Sequence, residues 1–584
     1  MFIQVILPLK ISWAPTYKAD AHNVLRGQRV RVVFSRKEYI GVVRNVGVVP
    51  DVDPSRILDI LGVEEKLPAI SEQELRLWEF LADYYLCSIG EVYKTAYPAM
   101  KLKSEKIAAA AVQRKENAHL KMLEAMQARV ERLRIRLKAK EAAIASKKEG
   151  TKGRLELEAG RDRILAELHA AQAALEGLME PETGVSSNPL PSARPAAGKP
   201  LMILGNLADR AVEYSSRIRE TLASGGQVLI LTPDKAFCSM LGGSLDSGLE
   251  LETFNADCTA ARRRALAETL RSGIPTAVLG TKQAIFLPFS NLHLVIIDQE
   301  QEQSYKQTDH APRYNGRDAA MALTSIHSAQ VILGSASASF ESQLNAISGK
   351  YQLQEIPQPQ PVQAEIIDIP AERRKNGMVG VISRKLIEAV AACSGTVVFI
   401  RGWEKHEETV QQCSSIFGEG RIRVMSLPEL KRDAPRDIEL LAFLQADAFF
   451  GKDDFRSDER ALQMLAMLRI FCPNIIIQTA VAERFSAARS TEELLRERKD
   501  FGLPPYSRTV EVLIEDKDPQ RLQRMLRLLA SAVPGAIPME DRVRWNFKRD
   551  ARLSANKKAV FNKVEDLEAT FKYQGHFTID VDPQ

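Results

Sequence analysis

Polar residues able to do chemistry follow short apolar runs in the middle of the chain. The runs Thr276–Leu279, Leu294–Ile297 and Val331–Leu333 contain many β-branched residues and end at glycine or an acidic residue, a pattern typical of buried parallel strands. Open α/β sheets place their ligand sites at the carboxyl ends of such strands. The acidic box after the second run is therefore the first candidate catalytic site, and it consists of Asp298, Gln299, Glu300 and Gln301.

The order of motifs around this box resembles a lobe of the ATP-driven nucleic-acid helicases of superfamily two, and more narrowly the PriA family of primosomal replication-restart proteins. That family reads close to IGTRSALFxPF, DEEHxxSYKQ, RYxARD and LGSATPSxES, and this chain reads GTKQAIFLPF, DQEQEQSYKQ, RYNGRD and LGSASASFES in the same order. The resemblance implies that Asp298 occupies the Mg²⁺-binding position, whereas an amide occupies the position of the Glu that activates water. A carboxamide is not a useful base. For the box taken alone, the alternative is a polar strand end in an unrelated α/β protein.

A loop rich in cations and aromatic residues follows the box. In the PriA family the corresponding loop senses DNA, so the resemblance implies DNA contacts in this chain as well. Cations suit phosphates and aromatic rings suit stacking on bases. The candidates are Tyr305, Lys306, Arg313, Tyr314 and Arg317. The alternative is that Arg313 and Arg317 pair with Asp318 and Asp309.

Length and composition are those of a multidomain globular protein. With 584 residues we expect about three to five domains. A net charge of +5 permits nucleic-acid binding without requiring it. The sequence has no apolar segment long enough to span a membrane, and residues 1–10 do not form a signal peptide, so we expect a soluble, cytoplasmic protein. The six cysteines include no C-x-x-C pair. The zinc motifs expected for the family are therefore missing, and we predict no metal site.

Residues 1–100 resemble the family's module that binds the 3′ end of the leading strand at a fork. They alternate strand-like runs with glycine-bearing turns and end in a helix from Ser71 to Leu86, where Ser71 and Glu74 form a capping box. The family motif LPxPLxxxFTYxxP appears here with Pro15 in place of its aromatic residue. We expect Tyr17 to stack on a terminal base, unless it is a half-buried strand residue. The DNA-binding candidates are Thr16, Tyr17, Gly41 and Arg56.

Residues 101–180 differ in kind from the family, which has a winged-helix domain at this position. Two series of apolar residues step by three and four through charged sequence, and KKEGTKG separates them. This pattern predicts an antiparallel coiled-coil hairpin, either a docking arm or simply a charged, solvated pair of helices. The Pro- and Ser-rich residues 181–200 are predicted to be a linker.

Residues 201–360 are predicted to form a RecA-like lobe without a phosphate loop. A helicase lobe should open with G-x-x-x-x-G-K-[ST], whose backbone N–H groups and lysine hold the phosphates. Here the sequence is LMILGNLADRAVEY, in which Gly205 lies at the turn and Arg210 lies near the lysine position. Nothing in this segment predicts binding of a triphosphate.

The rest of the chain is predicted to form a reduced second RecA-like lobe (361–490) and a PriA-like α+β domain (491–584). LQADAFFGKDDFRSDERALQML resembles the family's LNADxLLxxPDFRAxERAxQLL, but the arginine motif that should follow is replaced by AMLRIFCPN. The closing IDVDP is also that of the family. Cations along one strand suit binding of a DNA backbone or, alternatively, protect an edge strand from aggregation. These candidates are Arg542, Arg544, Lys548 and Arg549.

Taken together, the sequence predicts a multidomain α/β protein related to PriA that binds forked or single-stranded DNA. It is expected to recruit primosome or replisome proteins, or single-stranded-DNA-binding protein, without ATP hydrolysis and without a cofactor, since both the ATP/Mg²⁺ and the zinc motifs are missing. Two alternatives are a weak, divergent ATP-dependent helicase and a coiled-coil adaptor whose DNA surfaces are vestigial.

Overall fold

The structure is a computed structural model that describes residues 1–19, 24–50, 52–98, 198–357, 363–450, 455–485, 490–572 and 574–583, with residues 134, 137–144, 157, 161 and 165 between them. Residues Ala99–Pro189 form a unit separate from Met1–Pro98 and Leu190–Gln584. The described residues 137–144 are helical. Most of the predicted hairpin and linker lies outside the described residues. No described helix has both the length and the apolar character needed to cross a bilayer.

The N-terminal part is an antiparallel sheet in the order β2-β1-β4-β3-β5, followed by two helices. The strands are β1 (Phe2–Ile6), β2 (Thr16–Lys18), β3 (Arg29–Phe34), β4 (Lys37–Val46) and β5 (Gly62–Val63), and the helices are α1 (Glu72–Tyr85) and α2 (Ile89–Ala96). The predicted capping box is confirmed, because Ser71 N–H donates to Glu74 Oε2 at 2.9 Å and Glu74 N–H donates to Ser71 Oγ at 3.2 Å.

The next part is a seven-stranded sheet whose strands are all parallel, in the order β12-β6-β11-β10-β7-β9-β8. Its strands are β6 (Leu201–Leu204), β7 (Gln227–Leu231), β8 (Leu251–Phe254), β9 (Ala277–Gly280), β10 (Leu292–Asp298), β11 (Gln330–Ser335) and β12 (Gln352–Glu355). Its helices are α3 (Leu207–Ala223), α4 (Lys235–Ser244), α5 (Ala260–Arg271), α6 (Gly316–His327) and α7 (Phe340–Ile347). The central strand β10 is buried along its whole length, which explains its continuous apolar sequence.

A second, five-stranded parallel sheet follows in the order β13-β19-β18-β16-β17. It is built from β13 (Glu365–Asp368), β16 (Thr396–Ile400), β17 (Ile422–Met425), β18 (Ile438–Phe443) and β19 (Ile475–Thr479), and the short hairpin β14 (Met378–Val379) and β15 (Ile382–Ser383) lies between the first two. The helices are α8 (Ile369–Lys375), α9 (Arg384–Ala391), α10 (His406–Phe417), α11 (Leu427–Asp433) and α12 (Ser457–Leu468). The prediction of two α/β lobes with parallel sheets is confirmed.

The C-terminal part is an antiparallel sheet in the order β21-β22-β20-β23 with helices against it. Helix α13 (Thr491–Asp500) leads into β20 (Ser507–Glu515), and the remaining strands are β21 (Ile537–Pro538), β22 (Arg542–Lys548) and β23 (His576–Val581). Helices α14 (Pro519–Ala530) and α15 (Leu553–Thr570) complete it. The closing IDVDP sequence thus begins within β23, next to the central strand β20.

Candidate functional site

The acidic box begins at the carboxyl end of β10, as predicted, but its first carboxylate is fully buried and already paired. Asp298 Oδ1 accepts from Arg210 Nε and from the Tyr214 hydroxyl, each at 2.9 Å. Arg210 Nη2 also lies 2.9 Å from the same oxygen, and both side chains are inaccessible to solvent. Burial raises the pKa of Tyr214 well above its usual range, so the phenol remains a neutral donor. Asp298 is therefore held by two side chains of α3.

The turn between β6 and α3 explains how Arg210 reaches this carboxylate. Only Gly205 and Asn206 separate the strand from the helix, and the Asn206 side chain caps the helix by accepting from Asp209 N–H at 2.9 Å. Arg210, in the first turn of the helix, then points to the end of β10. Gly334 on the adjacent strand makes room for the second donor, because a Cβ atom there would lie 1.5 Å from the Tyr214 hydroxyl.

The rest of the box is also bound within the protein. Glu300 Oε1 accepts from Ser339 N–H at 2.6 Å, and its Oε2 accepts from the Ser342 hydroxyl at 2.9 Å and from Arg317 Nη1 at 3.0 Å. Gln301 Nε2 donates to Gln299 Oε1 at 2.8 Å. These contacts hold the end of β10 against the start of α7, and Glu300 is not directed at a substrate.

The residues where the family would hold a nucleotide with Mg²⁺ make contacts within the protein instead. Asp298 Oδ1 accepts from a guanidinium and a phenol, and the helix that should present N–H groups to phosphates is capped by its own Asn206. Zinc has no site either within the described residues, where no group of three or more His, Cys, Asp or Glu side chains could hold a metal ion.

The predicted DNA-facing loop is mostly interior. Tyr305 is fully buried and donates to the Asp298 and Leu231 carbonyls at 2.7 and 2.9 Å, and Tyr314 is buried and donates to the Lys282 carbonyl at 3.2 Å. The expectation that these two rings stack on bases is therefore wrong. The Tyr305 phenol satisfies carbonyls at the ends of β7 and β10, and the Tyr314 phenol satisfies one just after β9, so both rings are part of the core.

The cations of this loop are also engaged in contacts with the protein. Lys306 is 4% exposed, and its Nζ lies 2.6 Å from both Asp580 Oδ1 and the Val581 carbonyl. Arg317 pairs with Asp318 at 2.9 Å, which is the alternative stated above for that residue. Arg313 donates to the Thr308 carbonyl. The expectation that Lys306 and Arg317 face DNA is wrong, because the loop's charges are neutralised by carboxylates of the chain itself.

In the N-terminal part, the structure separates the candidates into buried and exposed residues. Tyr17 is 3% exposed and donates to the Val33 carbonyl at 3.0 Å, and burial raises its pKa to about 12. An exposed stacking ring at Tyr17 was therefore a wrong expectation. Gly41 faces β1, where a Cβ atom would lie 2.2 Å from Val5 Cγ1, so its lack of a side chain serves packing.

Thr16 and Arg56 remain candidates at the surface of this part. Thr16 is partly exposed on β2 at the edge of the sheet, and Arg56 is exposed in the 3₁₀ turn Pro54–Arg56. An isolated bridge between Lys18 and Asp59 brings the chain just after this turn alongside β2.

The C-terminal candidates on β22, and Arg549 directly after it, also divide into paired and exposed residues. Arg542 and Arg544 pair with Glu511 of the neighbouring strand, so they form part of a charged ladder across the sheet. Trp545 is fully buried and donates to the Val533 carbonyl at 3.1 Å, so it offers no stacking surface. Lys548 and Arg549 are exposed at the end of the strand.

Comparisons with known proteins agree with the sequence resemblance. Residues 4–98 match the family model described as the 3′ DNA-binding domain of PriA. The replication restart protein PriA of Rickettsia felis is 26% identical over 401 residues, which is 66% of this chain and 51% of that protein. The PriA of Haemophilus influenzae is 26% identical over 358 residues, which is 56% of this chain and 47% of that protein.

The chain is similar to PriA proteins, and its residues 4–98 match their 3′ DNA-binding domain. It spans about half the length of these two PriA relatives. Among solved structures, RecG bound to a three-way DNA junction aligns with a TM-score of 0.32 and 16% identity, over 53% of this chain and 42% of that chain. Mycobacterium smegmatis Lhr bound to single-stranded DNA and AMP-PNP aligns with a TM-score of 0.33 and 13% identity, over 62% of this chain and 58% of that chain. These scores are too low for a functional comparison.

Several PriA-like motifs converge on one polar junction between the N-terminal part, the two lobes and the C-terminal part. Arg456 of the DFRSDER motif lies 2.9 Å from Glu341 of the GSASASFES motif, and Arg508 lies 2.9 Å from Asp582 of the closing IDVDP motif. Although burial alone would raise it, Arg456 and Arg317 hold the pKa of Glu341 well below its usual range. The motifs that resemble the family thus include residues that join the parts of the chain.

Sequence reasoning missed two residues of interest. Arg210 was aligned near the lysine position, yet its pairing with Asp298 depends on the short turn before α3, which the sequence does not reveal. Trp13 is 59% exposed in the N-terminal part. Trp13 lies two positions before Pro15, which occupies the aromatic position of the family motif, and this proximity is the sequence signal for an aromatic contact.

Proposed function

We propose that this chain recognises forked or single-stranded DNA during replication restart in the cytoplasm and does so without hydrolysing ATP. DNA recognition is supported by the match of residues 4–98 to a 3′ DNA-binding domain and by the sequence similarity to PriA proteins. The observation that carries the absence of hydrolysis is the buried ion pair between Arg210 and Asp298.

The pair argues against hydrolysis because of what Mg²⁺ binding would require. A metal ion at Asp298 Oδ2 would lie beside the Arg210 guanidinium in a site closed to solvent, and a metal ion at Oδ1 would displace that guanidinium and leave it buried without its partner. Breaking a buried pair in this way costs about 3–5 kcal/mol. In addition, Gln299 cannot accept a proton from water, so no residue of the box replaces the missing catalytic Glu.

DNA contacts are assigned by this proposal to surfaces that remain accessible. They are Thr16 and Arg56 in the N-terminal part and Lys548 and Arg549 at the end of β22, all at least partly exposed. Because Tyr305, Lys306 and Tyr314 of this loop are buried, the proposal leaves binding of DNA through other surfaces and recruitment of primosome or replisome proteins or single-stranded-DNA-binding protein. Residues 101–180 are the candidate segment for recruitment.

The test is equilibrium binding of the full chain to two forks, one with a free leading-strand 3′ end and one with that end blocked, with phosphate release followed in the same samples. We expect tighter binding to the free end and no DNA-stimulated hydrolysis. The control is a preparation taken through the same purification from cells that lack the protein, since any hydrolysis in it comes from a contaminant.

Two results of this experiment would contradict the proposal. Equal binding to the two forks would contradict recognition of the 3′ end and favour a protein adaptor. DNA-stimulated hydrolysis above that control would contradict the proposal and indicate a divergent ATPase.

A further inference from the structure

The four tryptophans fall into two classes, and one exposed ring lies in the domain that matches a 3′ DNA-binding domain. Trp78 and Trp545 are buried, at 1% and 0% exposure, whereas Trp13 and Trp403 are 59% and 67% exposed. A large aromatic side chain that remains exposed on a folded domain has a stacking face available to a ligand.

The exposed Trp13 is carried by an anchored segment between β1 and β2. The Ser88 hydroxyl donates to the Leu9 carbonyl at 3.2 Å, and Gly90 permits this approach, because a Cβ atom there would lie 2.2 Å from the same oxygen. The Trp13 ring lies edge-on to Phe34, with 6.1 Å between centroids and 60° between planes. The indole is thus supported on one edge by a second ring.

Two cations lie close to this ring pair in sequence and on the same hairpin. Phe34 ends β3, and the turn to β4 contains Ser35 and Arg36 with φ of 47° and 64°, followed by Lys37. Arg36 and Lys37 are exposed, and within the described residues neither forms an ion pair. Positive charge beside an aromatic surface suits single-stranded DNA, whose phosphates and bases alternate along the strand.

We propose that Trp13 is the stacking platform for the unpaired base at a DNA 3′ end, and that Arg36 and Lys37 bind the phosphates next to it. This inference rests on the proposed function. It moves the stacking role from Tyr17, whose ring is buried beneath the sheet surface, to a ring that is accessible.

The experiment compares four full-length proteins on forks with a free or a blocked 3′ end: wild type, Trp13→Ala, Trp13→Phe and Trp403→Ala. Stacking on one aromatic ring corresponds to about a 5- to 150-fold change in affinity on removal of the ring. We expect Trp13→Ala to weaken binding of the free-end fork by this factor and to lose the preference for the free end. Trp13→Phe should retain most of the affinity and most of the preference for the free end. The matched control Trp403→Ala should bind like wild type.

A second readout reports contact directly. A short oligothymidylate should quench the tryptophan fluorescence of Trp403→Phe, in which Trp13 is the remaining exposed indole, and should fail to quench that of Trp13→Phe. If wild type prefers the free end but Trp13→Ala keeps the same affinity and preference, the role of Trp13 is refuted and the proposed function stands. If wild type itself shows no preference for the free 3′ end, the role of Trp13 and the proposed function are both refuted. A thermal unfolding scan of each variant excludes loss of fold as the cause.

Discussion

At the scale of single residues, the chemistry of the acidic box is determined by one side chain from a neighbouring element. Asp298 follows a strand as a metal-binding carboxylate would, but Arg210 and Tyr214 occupy its Oδ1 atom. A carboxylate shared by a guanidinium and a phenol in a fully buried site stabilises the fold. The same residue type at the same strand end therefore acts as a structural ion-pair partner in this chain.

Asp298→Asn is expected to destabilise the first lobe strongly, because it leaves the Arg210 guanidinium buried without a counter-charge. The expected loss is about 3–5 kcal/mol of unfolding free energy, measured by thermal or urea unfolding of the full chain. The control is Asp257→Asn, which removes an exposed partner of Lys235 and should change stability little. Equal effects of the two substitutions would contradict a structural role for the buried pair.

Tyr17→Phe tests whether this residue acts from inside the protein. Removing the hydroxyl leaves the Val33 carbonyl without that donor, so we expect a loss of about 1 kcal/mol in unfolding free energy. Fork affinity should stay unchanged, because the ring is buried and phenylalanine preserves its packing. A fall in affinity without a fall in stability would return Tyr17 to the DNA contact surface.

At the scale of elements, local sequence predicted the strands well and the contacts of polar loops poorly. The predicted runs Leu294–Ile297 and Val331–Leu333 lie within strands β10 and β11, because buried β-branched runs carry their own signal. The loop containing Tyr305 and Tyr314 has the composition of a DNA-binding loop, yet its rings are buried. Burial of these rings depends on carbonyl acceptors at the ends of β7 and β10 and just after β9, and composition does not specify which strands a loop will pack against.

Lys557 on α15 links that helix to α1 and provides a pH-dependent test of the packing. Its Nζ donates to the Tyr84 carbonyl at 2.5 Å, and burial lowers its pKa from 10.5 to about 8. Below about pH 8 the folded protein therefore holds a buried ammonium at a free-energy cost. That cost disappears as the pH rises from about 8 to 10.5, where the unfolded chain still binds the proton.

We therefore expect Lys557→Met to gain stability relative to wild type at pH 7 and to lose that gain as the pH approaches 10. Thermal unfolding of both proteins across this range measures the difference. The matched control is Lys558→Met, whose side chain is exposed and should give a difference that does not vary with pH. A constant difference for Lys557→Met would contradict the buried-ammonium account.

At the scale of the whole molecule, the charged residues divide between internal joints and the outer surface. Lys306 reaches Asp580 in the C-terminal part, and Asn315 N–H donates to the Tyr85 hydroxyl of α1 at 3.0 Å. Together with the Arg456–Glu341 and Arg508–Asp582 pairs, these contacts connect the N-terminal part, both lobes and the C-terminal part. The cations in these joints are already paired with carboxylates of the chain. Cations that bind DNA must therefore lie elsewhere on the protein.

The salt dependence of fork binding tests this division. Each phosphate that the protein neutralises releases counterions, so the slope of log affinity against log salt counts those contacts. Replacing the exposed pair Lys548 and Arg549 by alanine should make the slope shallower by about 1 to 2, with a similar loss of affinity on forks of any sequence. The control removes the same charge from exposed Arg373 and Arg374 on α8 and should leave the slope unchanged. If both double variants change the slope equally, the chain binds DNA through diffuse charge, whereas an effect confined to Lys548 and Arg549 places the end of β22 on the DNA.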